Sequence, residues 1–516
     1  MLKYKILLLI ILTSPIFCSA QTDKIAWAEF HAPFQNSGNE VLGQKNNYPY
    51  VRFVTNAGNV VIRLTYQSIP NIDIKGEESK CMLYGLNDDG KWIEFEGIQS
   101  SGDTVITQSF QGISLDSHIP VRNFEYRLFL PEGKMPSLIA MGISAQSHIE
   151  LMPPQPEKQI VIYKQVSKDK QSIPGTDWSA RLERALDRPA MVLDRSSDWE
   201  RFLRNGLKSE TKAVFWELYV HGNATDEANK IIKETRQIQR AGIPVFIFPS
   251  GDTPVGSQDI LKVVARRIAN IKGIYLLASP TTDNWIAFNT NVRSILQEPD
   301  GEISTTKAVI QSRDRNYNWR QRHADELALI KEKAPQNIIF ANSIIHYWGG
   351  LPKSTIARGQ DSWNAYLQPL GVQNMGFGWD RIENVLWRIY HDELDGFKAD
   401  HILLMIGTNN LQVNINDEII QGLRQLIVAV GIRQPNSKVL ISGILPRRNM
   451  EDRIALLNQS IEKLAEEKKV TFINPGTALL NNSGKIREEL FGDGLHPNAV
   501  GYGMLAPAIA KAFSEH

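Results

Sequence analysis

Cysteine is scarce in this 516-residue chain, which has two, Cys18 and Cys81. Cys18 falls in an N-terminal leader, so the chain without its leader keeps one thiol. That excludes an intramolecular disulfide and a cysteine-based metal site. An excess of one charge sign is missing too. Lys and Arg number 57 against 56 Asp and Glu, a formal net charge of +1. Neither nucleic acid nor an anionic membrane surface is therefore expected as a partner. There is no low-complexity tract, and no apolar run reaches the ~20 residues that a membrane-spanning helix needs.

The leader has a distinct plan. Lys3 and Lys5 make a positive start, Ile6 to Ile11 a short apolar run, and Cys18-Ser19-Ala20 a small-residue cleavage site before Gln21. Residues 1–20 thus read as a secretory signal peptide, which predicts a periplasmic or extracellular protein. A lipoprotein reading would make Cys18 the modified residue, but Phe17 stands where such signals want a small side chain.

At this length the chain should fold as about three domains. Residues 22–155 alternate in short segments broken by turns: Tyr50 to Val54, Val60 to Tyr66, Cys81 to Gly85, Trp92 to Phe95 and Phe124 to Leu130. Short strands without helical periodicity predict a β-sandwich, and Pro153-Pro154-Gln155-Pro156 reads as a linker. Over 158–295 apolar runs alternate with amphipathic stretches. Strands are expected at Ile160 to Tyr163, Ala190 to Leu193, Ala213 to Leu218, Val245 to Phe248 and Ile274 to Leu277. Helices are expected at Trp178 to Leu186, Glu227 to Ala241 and Ile260 to Ile271. After a polar stretch the series repeats over 318–516. The fold class is therefore α/β, an N-terminal β-sandwich followed by two parallel-sheet α/β domains of flavodoxin-like type.

The last domain places polar residues at strand ends, where open parallel sheets bind ligands. Ser343 follows the strand Ile338-Ile339-Phe340. A lone serine there is usually a turn or cap residue. Asp493 and His496 stand in Asp-Gly-Leu-His-Pro-Asn before the last helix. A carboxylate three residues ahead of a histidine can fix its tautomer and free the far nitrogen to take a serine's proton, although the same spacing also serves as a capping arrangement. Gly407-Thr408-Asn409-Asn410 follows another strand, and an Asn amide there can donate to an oxyanion or simply make a turn. His346, His391 and His401 are expected to be structural or rim histidines, since nothing groups them at metal spacing.

Taken together, these elements resemble the SGNH (GDSL-like) hydrolases. The family's four blocks correspond to Ala341-Asn342-Ser343, Asn374-Met375-Gly376-Phe377-Gly378-Trp379-Asp380, Gly407-Thr408-Asn409-Asn410 and Asp493-Gly494-Leu495-His496. The run Asn374 to Tyr390, with its Val-Leu-Trp-Arg helix, is especially similar to platelet-activating-factor acetylhydrolase catalytic subunits. The resemblance implies a serine esterase with Ser343, Asp493 and His496 as triad, and an oxyanion hole from the N–H groups of Ser343 and Trp379 and the side chain of Asn409. Neither cofactor nor metal is implied. Two positions depart from the pattern. Asn342 replaces the first-block Asp, and Trp379 stands at the usual second-block Gly, where its indole could form a platform for a sugar ring or pack against the next helix. Trp348 and Gly378 are candidate substrate-contacting residues.

Upstream, Met82-Leu83-Tyr84-Gly85, Asp89-Gly90-Lys91-Trp92 and Tyr126 to Pro131 are similar to the β-sandwich that precedes SGNH domains in Bacteroidetes-type hydrolases. Ile160-Val161-Ile162-Tyr163, Pro174-Gly175-x-x-Trp178 and Leu186-Asp187-Arg188-Pro189 resemble the start of the SGNH domain usually attached to it, but Lys164-Gln165-Val166 stands where Gly-Thr-Ser is expected, and no Asp-x-x-His follows within 158–295. This implies a degenerate hydrolase domain; an unrelated α/β unit is the alternative. The expected substrate is a short acyl ester, by analogy an acetylated glycan. A lipid esterase or lysophospholipase, and a non-catalytic glycan-binding protein, remain as alternatives.

Overall fold

The computed structural model describes residues 25–31, 50–66, 80–101, 105–115, 123–131, 136–153, 155–164, 175–193, 196–207, 210–219, 224–251, 258–311 and 317–514. The leader, Pro154, Gln165 and Val166 lie outside them. The chain forms two compact units, one of residues 1–87 and 91–292, the other of 88–90 and 293–516.

The first unit begins with two five-stranded antiparallel sheets. One runs in the order Ile25–His31, Leu138–Ser144, Asn59–Thr65, Val105–Gln111, Gly97–Ser101, the other Ile149–Leu151, Tyr50–Thr55, Phe124–Phe129, Met82–Leu86, Trp92–Phe95. Alternating side chains such as Val60, Ile62 and Leu64 share one buried core with Phe53, Leu83 and Leu128 of the other sheet, the arrangement of a sandwich. Cys81 is buried there, and that burial pushes its thiol up to about 12.

A five-stranded parallel sheet follows in the same unit, ordered Ala190–Leu193, Gln159–Lys164, Thr211–Leu218, Val245–Pro249, Ile274–Leu276. The presumed linker is not loose. Gln155 donates to the Asp187 carbonyl at 2.9 Å, and Met152 N–H to the Arg52 carbonyl at 3.0 Å. Arg127 of the sandwich is fully buried and pairs with Glu183 and Asp187 around the helix Trp178–Leu186. A buried cation needs such partners, and these pairs join sandwich and sheet into one unit.

The second unit carries another parallel sheet with the same strand permutation. Its strands are β1 (Asn337–Ala341), β2 (Val372–Gly376), β3 (His401–Met405), β4 (Lys438–Ser442) and β5 (Thr471–Ile473), in the order β2-β1-β3-β4-β5. Both faces are covered. Ile338, Phe340 and Leu404 lie in one apolar cluster with the helices Ile382–Arg388, Asn416–Arg433 and Glu451–Lys468, and Ile339, Ala341 and Leu403 in another with Ala499–Ser514. Strands buried on both faces read as continuous apolar runs, as Ile338-Ile339-Phe340 does.

Among the helices of ten or more residues, Ser196–Asn205, Trp285–Ile295 and Trp319–Glu332 escape the periodicity reading. The last shows the reason. Its buried residues include Arg322, His323 and Glu326, polar side chains that hide an apolar stripe.

Candidate active site

β1 ends at Ala341, and the chain turns at once into the short helix Ser343–His346. Asn342 caps that turn, its side-chain Oδ1 accepting from Ile344 N–H at 2.9 Å. This local role needs an oxygen acceptor rather than a charge, so Asn serves where the related pattern has Asp. Ser343 is thereby held at the carboxyl edge of the sheet, 6% exposed.

The hydrogen-bond relay is continuous. Ser343 Oγ lies 2.8 Å from His496 Nε2, and His496 Nδ1 lies 2.7 Å from Asp493 Oδ2. The other carboxylate oxygen of Asp493 accepts from the backbone N–H groups of Leu495 at 3.0 Å and His496 at 2.7 Å. The three-residue spacing thus closes a tight loop that presents the imidazole. Burial works against the Asp493 carboxylate, but the hydrogen bonds from the backbone and ring of His496 outweigh it and hold the group down at about 2. With Asp493 ionised, Nδ1 keeps its proton and Nε2 faces Ser343 as an acceptor. His496 is held below the usual histidine range, first by burial, which outweighs the pull of Asp493, and further by Arg358 and Arg447.

Asn409 follows β3 through Gly407-Thr408 and is buried; its Nδ2 donates to the Asp380 carbonyl at 2.9 Å. The third block is so tied to the second. Asn410 anchors the same turn to the helix Ile382–Arg388, accepting from Ile382 N–H at 3.1 Å and donating to Glu383 at 2.9 Å.

The second-block loop packs directly on the nucleophile's helix. A Cβ at Gly376 would lie 2.3 Å from the His346 nitrogen, so only glycine fits there. Trp379 has φ +63° and is 42% exposed. A bulky residue in left-handed backbone costs about 1–2 kcal/mol, and this is the position where the related pattern has Gly.

Two expectations are corrected. Trp348 is fully buried between Trp363 and Tyr502, with its indole N–H on Ser362 Oγ at 2.9 Å; it is core and lines no cleft. Gly378 is also buried, and its backbone is spent inside the protein. Its N–H donates to His346 Nδ1 at 3.1 Å, and its carbonyl accepts from Gln311 at 2.7 Å and Tyr317 at 3.0 Å.

His346 is accordingly a structural histidine. Burial, reinforced by Arg322 and Arg388, pushes it down to about 2, so it stays neutral and its Nδ1 fixes the Gly378 N–H. His391 stacks on Trp387 at 3.6 Å, and His401 meets Asn337 at 2.9 Å. Among the described residues no group of three or more His, Cys, Asp or Glu is placed to hold a metal.

A buried polar network behind the second block was not foreseen. Arg388 meets Asp380 Oδ2 and Glu393 Oε2 at 3.1 Å each and donates to the Met375 carbonyl at 3.2 Å. Arg322 donates to the carbonyls of Gly376 at 2.8 Å, Asn374 at 3.1 Å and Pro352 at 2.8 Å, and Trp319 Nε1 to Asp380 Oδ1 at 2.8 Å. These bonds hold Asn374 to Asp380 from behind. The one available signal was the density of polar residues on the helix over 319–332.

At the corresponding strand end of the first unit the chemistry is different. Buried Lys164 pairs with half-buried Asp177, its ammonium 5.3 Å from the centre of the Trp178 ring, and Trp178 Nε1 donates to Glu217 at 3.2 Å.

The second unit also matches known proteins in sequence. Residues 342–504 match the GDSL-like Lipase/Acylhydrolase family. The human platelet-activating factor acetylhydrolase IB subunit alpha2 is 27% identical over 208 residues, covering 39% of this chain and 84% of that protein. Among solved structures, a GDSL-like lipase from Bacteroides thetaiotaomicron is similar over 37% of this chain and 98% of its own, at 17% identity and TM-score 0.31. The acetylxylan esterase Axe2 from Geobacillus stearothermophilus is similar over 35% and 95%, at 19% identity and TM-score 0.29.

Proposed function

We propose that the second unit is a serine esterase that works through an acyl-enzyme. The observation that carries this reading is the unbroken relay from Ser343 Oγ through His496 to Asp493. Ser343 attacks the ester carbonyl while His496 Nε2 takes its proton, and Asp493 stabilises the imidazolium. The negative oxygen is received by the Ser343 and Trp379 N–H groups and the Asn409 amide. His496 then protonates the leaving alcohol, a water attacks the acyl-enzyme with His496 again as base, and Ser343 is regenerated.

We infer a short acyl group, acetyl in the first place. Ser343 is deeply set, and the human relative is named for acetyl hydrolysis. The alcohol part is read as a carbohydrate, supported by the leader's signal-peptide plan, which implies export, and by the exposed Trp379 indole, which offers a ring face beside the site. The first unit's parallel sheet is read as a hydrolase-like domain without catalysis, because Lys164-Gln165-Val166 offers no hydroxyl where Gly-Thr-Ser is expected and no Asp-x-x-His follows within 158–295.

Turnover of p-nitrophenyl acetate tests the reading. The wild type should hydrolyse it, with rates falling as the acyl chain lengthens, and Ser343→Ala should lose a factor of about 10⁴–10⁶. Equal rates in the two proteins would overturn it. Release of acetate from acetylated polysaccharides, and its absence with acetylated lipids, tests the choice of alcohol.

A further inference from the structure

Three arginines from two segments surround the relay, and they differ in how their charge is met. Arg448 is clamped by Glu488 through two hydrogen bonds, at 2.9 and 2.6 Å. Arg358 lies 3.8 Å from Asp493 Oδ2, a carboxylate already engaged by His496, and its guanidinium carbon is 5.7 Å from the centre of the Tyr347 ring. That ring in turn sits 5.3 Å from His496. Arg447 is half-buried, with Nη1 on the Thr408 carbonyl at 3.3 Å, one residue before Asn409. Among the described residues it makes no ion pair.

A guanidinium partly withdrawn from water is costly without a close counter-ion, and the carboxylate whose charge reaches Arg447 is Asp493, already shared with His496 and Arg358. The cost here is also functional. His496 must become a cation as Ser343 attacks, and two neighbouring cations oppose that step. The arrangement becomes more favourable once an anion sits beside them, because it offsets their positive charge and lessens the opposition to the imidazolium. The planar guanidinium fork suits a carboxylate, phosphate or sulfate.

We propose that Arg447 and Arg358 form an anion subsite beside the ester, so that the preferred substrates carry a fixed negative charge on the alcohol part, next to the acyl group. This rests on the esterase reading. On the carbohydrate reading the substrate is an acetylated acidic sugar; a phosphate would engage the same forks.

The test compares matched pairs: acetylated galacturonate against acetylated galactose, and acetylated glycerol phosphate against glycerol acetate. In the wild type at low salt, kcat/KM for an anionic member should exceed its neutral partner by about tenfold or more, and the preference should shrink at high salt. The pair showing the larger ratio identifies carboxylate or phosphate. Arg447→Gln should cut that ratio about 10–100-fold, and Arg358→Gln should cut it less. Independently of any variant, free galacturonate should inhibit p-nitrophenyl acetate turnover competitively, and galactose should not.

Wild-type ratios near one, or an Arg447→Gln loss equal for charged and neutral members, overturn the subsite. The latter outcome would assign Arg447 to holding the third-block turn. Failure of the wild type on p-nitrophenyl acetate would sink the esterase reading itself, whereas turnover without anion preference sinks the subsite alone.

Discussion

Replacing Asn409 by Ala separates the two jobs that its amide performs. As an oxyanion donor it acts on charge that develops during attack, so its loss should lower kcat by about 10²–10³, or about 2.7–4 kcal/mol of barrier, with little change in KM. Its Nδ2 also donates to the buried Asp380 carbonyl at 2.9 Å. Removing that donor takes a hydrogen bond from a buried carbonyl, at about 0.5–1.5 kcal/mol of stability, and loosens the loop that carries Trp379. The assay is steady-state hydrolysis of p-nitrophenyl acetate over a full concentration range, with a urea denaturation curve on the same preparation. The expected pattern is a folded protein with a lowered urea midpoint, near-normal KM and a kcat at least a hundredfold down. A rise in KM with kcat intact would make Asn409 a binding residue and refute its place in the oxyanion hole.

The pH profile of kcat/KM on p-nitrophenyl acetate should fall on the acid side with a midpoint below 6.5, because burial, Arg358 and Arg447 hold His496 beneath that ordinary value and its neutral form is the base. Arg447→Gln should move the midpoint upward, since one opposing cation is gone; a downward move contradicts the electrostatic account. Lys164→Ala removes the cation facing the half-buried Asp177, which keeps its hydrogen bonds from Ser179 and the Ala180 N–H, and should destabilise the first unit by about 1–3 kcal/mol, read as a lowered denaturation midpoint, while turnover of the small ester is unchanged. A loss of turnover in the folded variant would tie that strand end to catalysis. Trp379→Gly relieves left-handed backbone at φ +63°, a gain that exceeds the backbone entropy glycine adds to the unfolded chain by up to about 1 kcal/mol. A lower urea midpoint would mean that the indole's contacts outweigh the strain.

The parallel sheets were legible because their strands are buried on both faces and read as apolar runs. The expected strand Ala190 to Leu193 and helix Trp178 to Leu186 have the observed bounds. The grouping of Ser343, Asp493 and His496 was legible through the resemblance of the four blocks to SGNH hydrolases; a strand end and a tight Asp-x-x-His loop each fix a local geometry, but neither alone marks a nucleophile and its base. What the sequence hid were contacts made at long range between polar residues. Arg322 reaches the carbonyls of Asn374 and Gly376 from more than fifty positions away, and its own helix lost its apolar periodicity to do so. His346, three residues past Ser343, finds its function in a backbone N–H of another loop. Trp348 misled for the opposite reason, because a tryptophan beside a catalytic block looks the same in sequence whether it faces a cleft or, as here, the core.

The most direct test of the central claim is covalent. A fluorophosphonate reacts with a serine only where a neighbouring base activates it, so the protein should take up one equivalent, and digestion with mass spectrometry should place the adduct on the peptide that contains Ser343. Ser343→Ala and His496→Ala should each abolish labelling while remaining folded. An adduct on another serine, or an unlabelled Ser343 in the folded wild type, would contradict the assignment of Ser343 as the nucleophile.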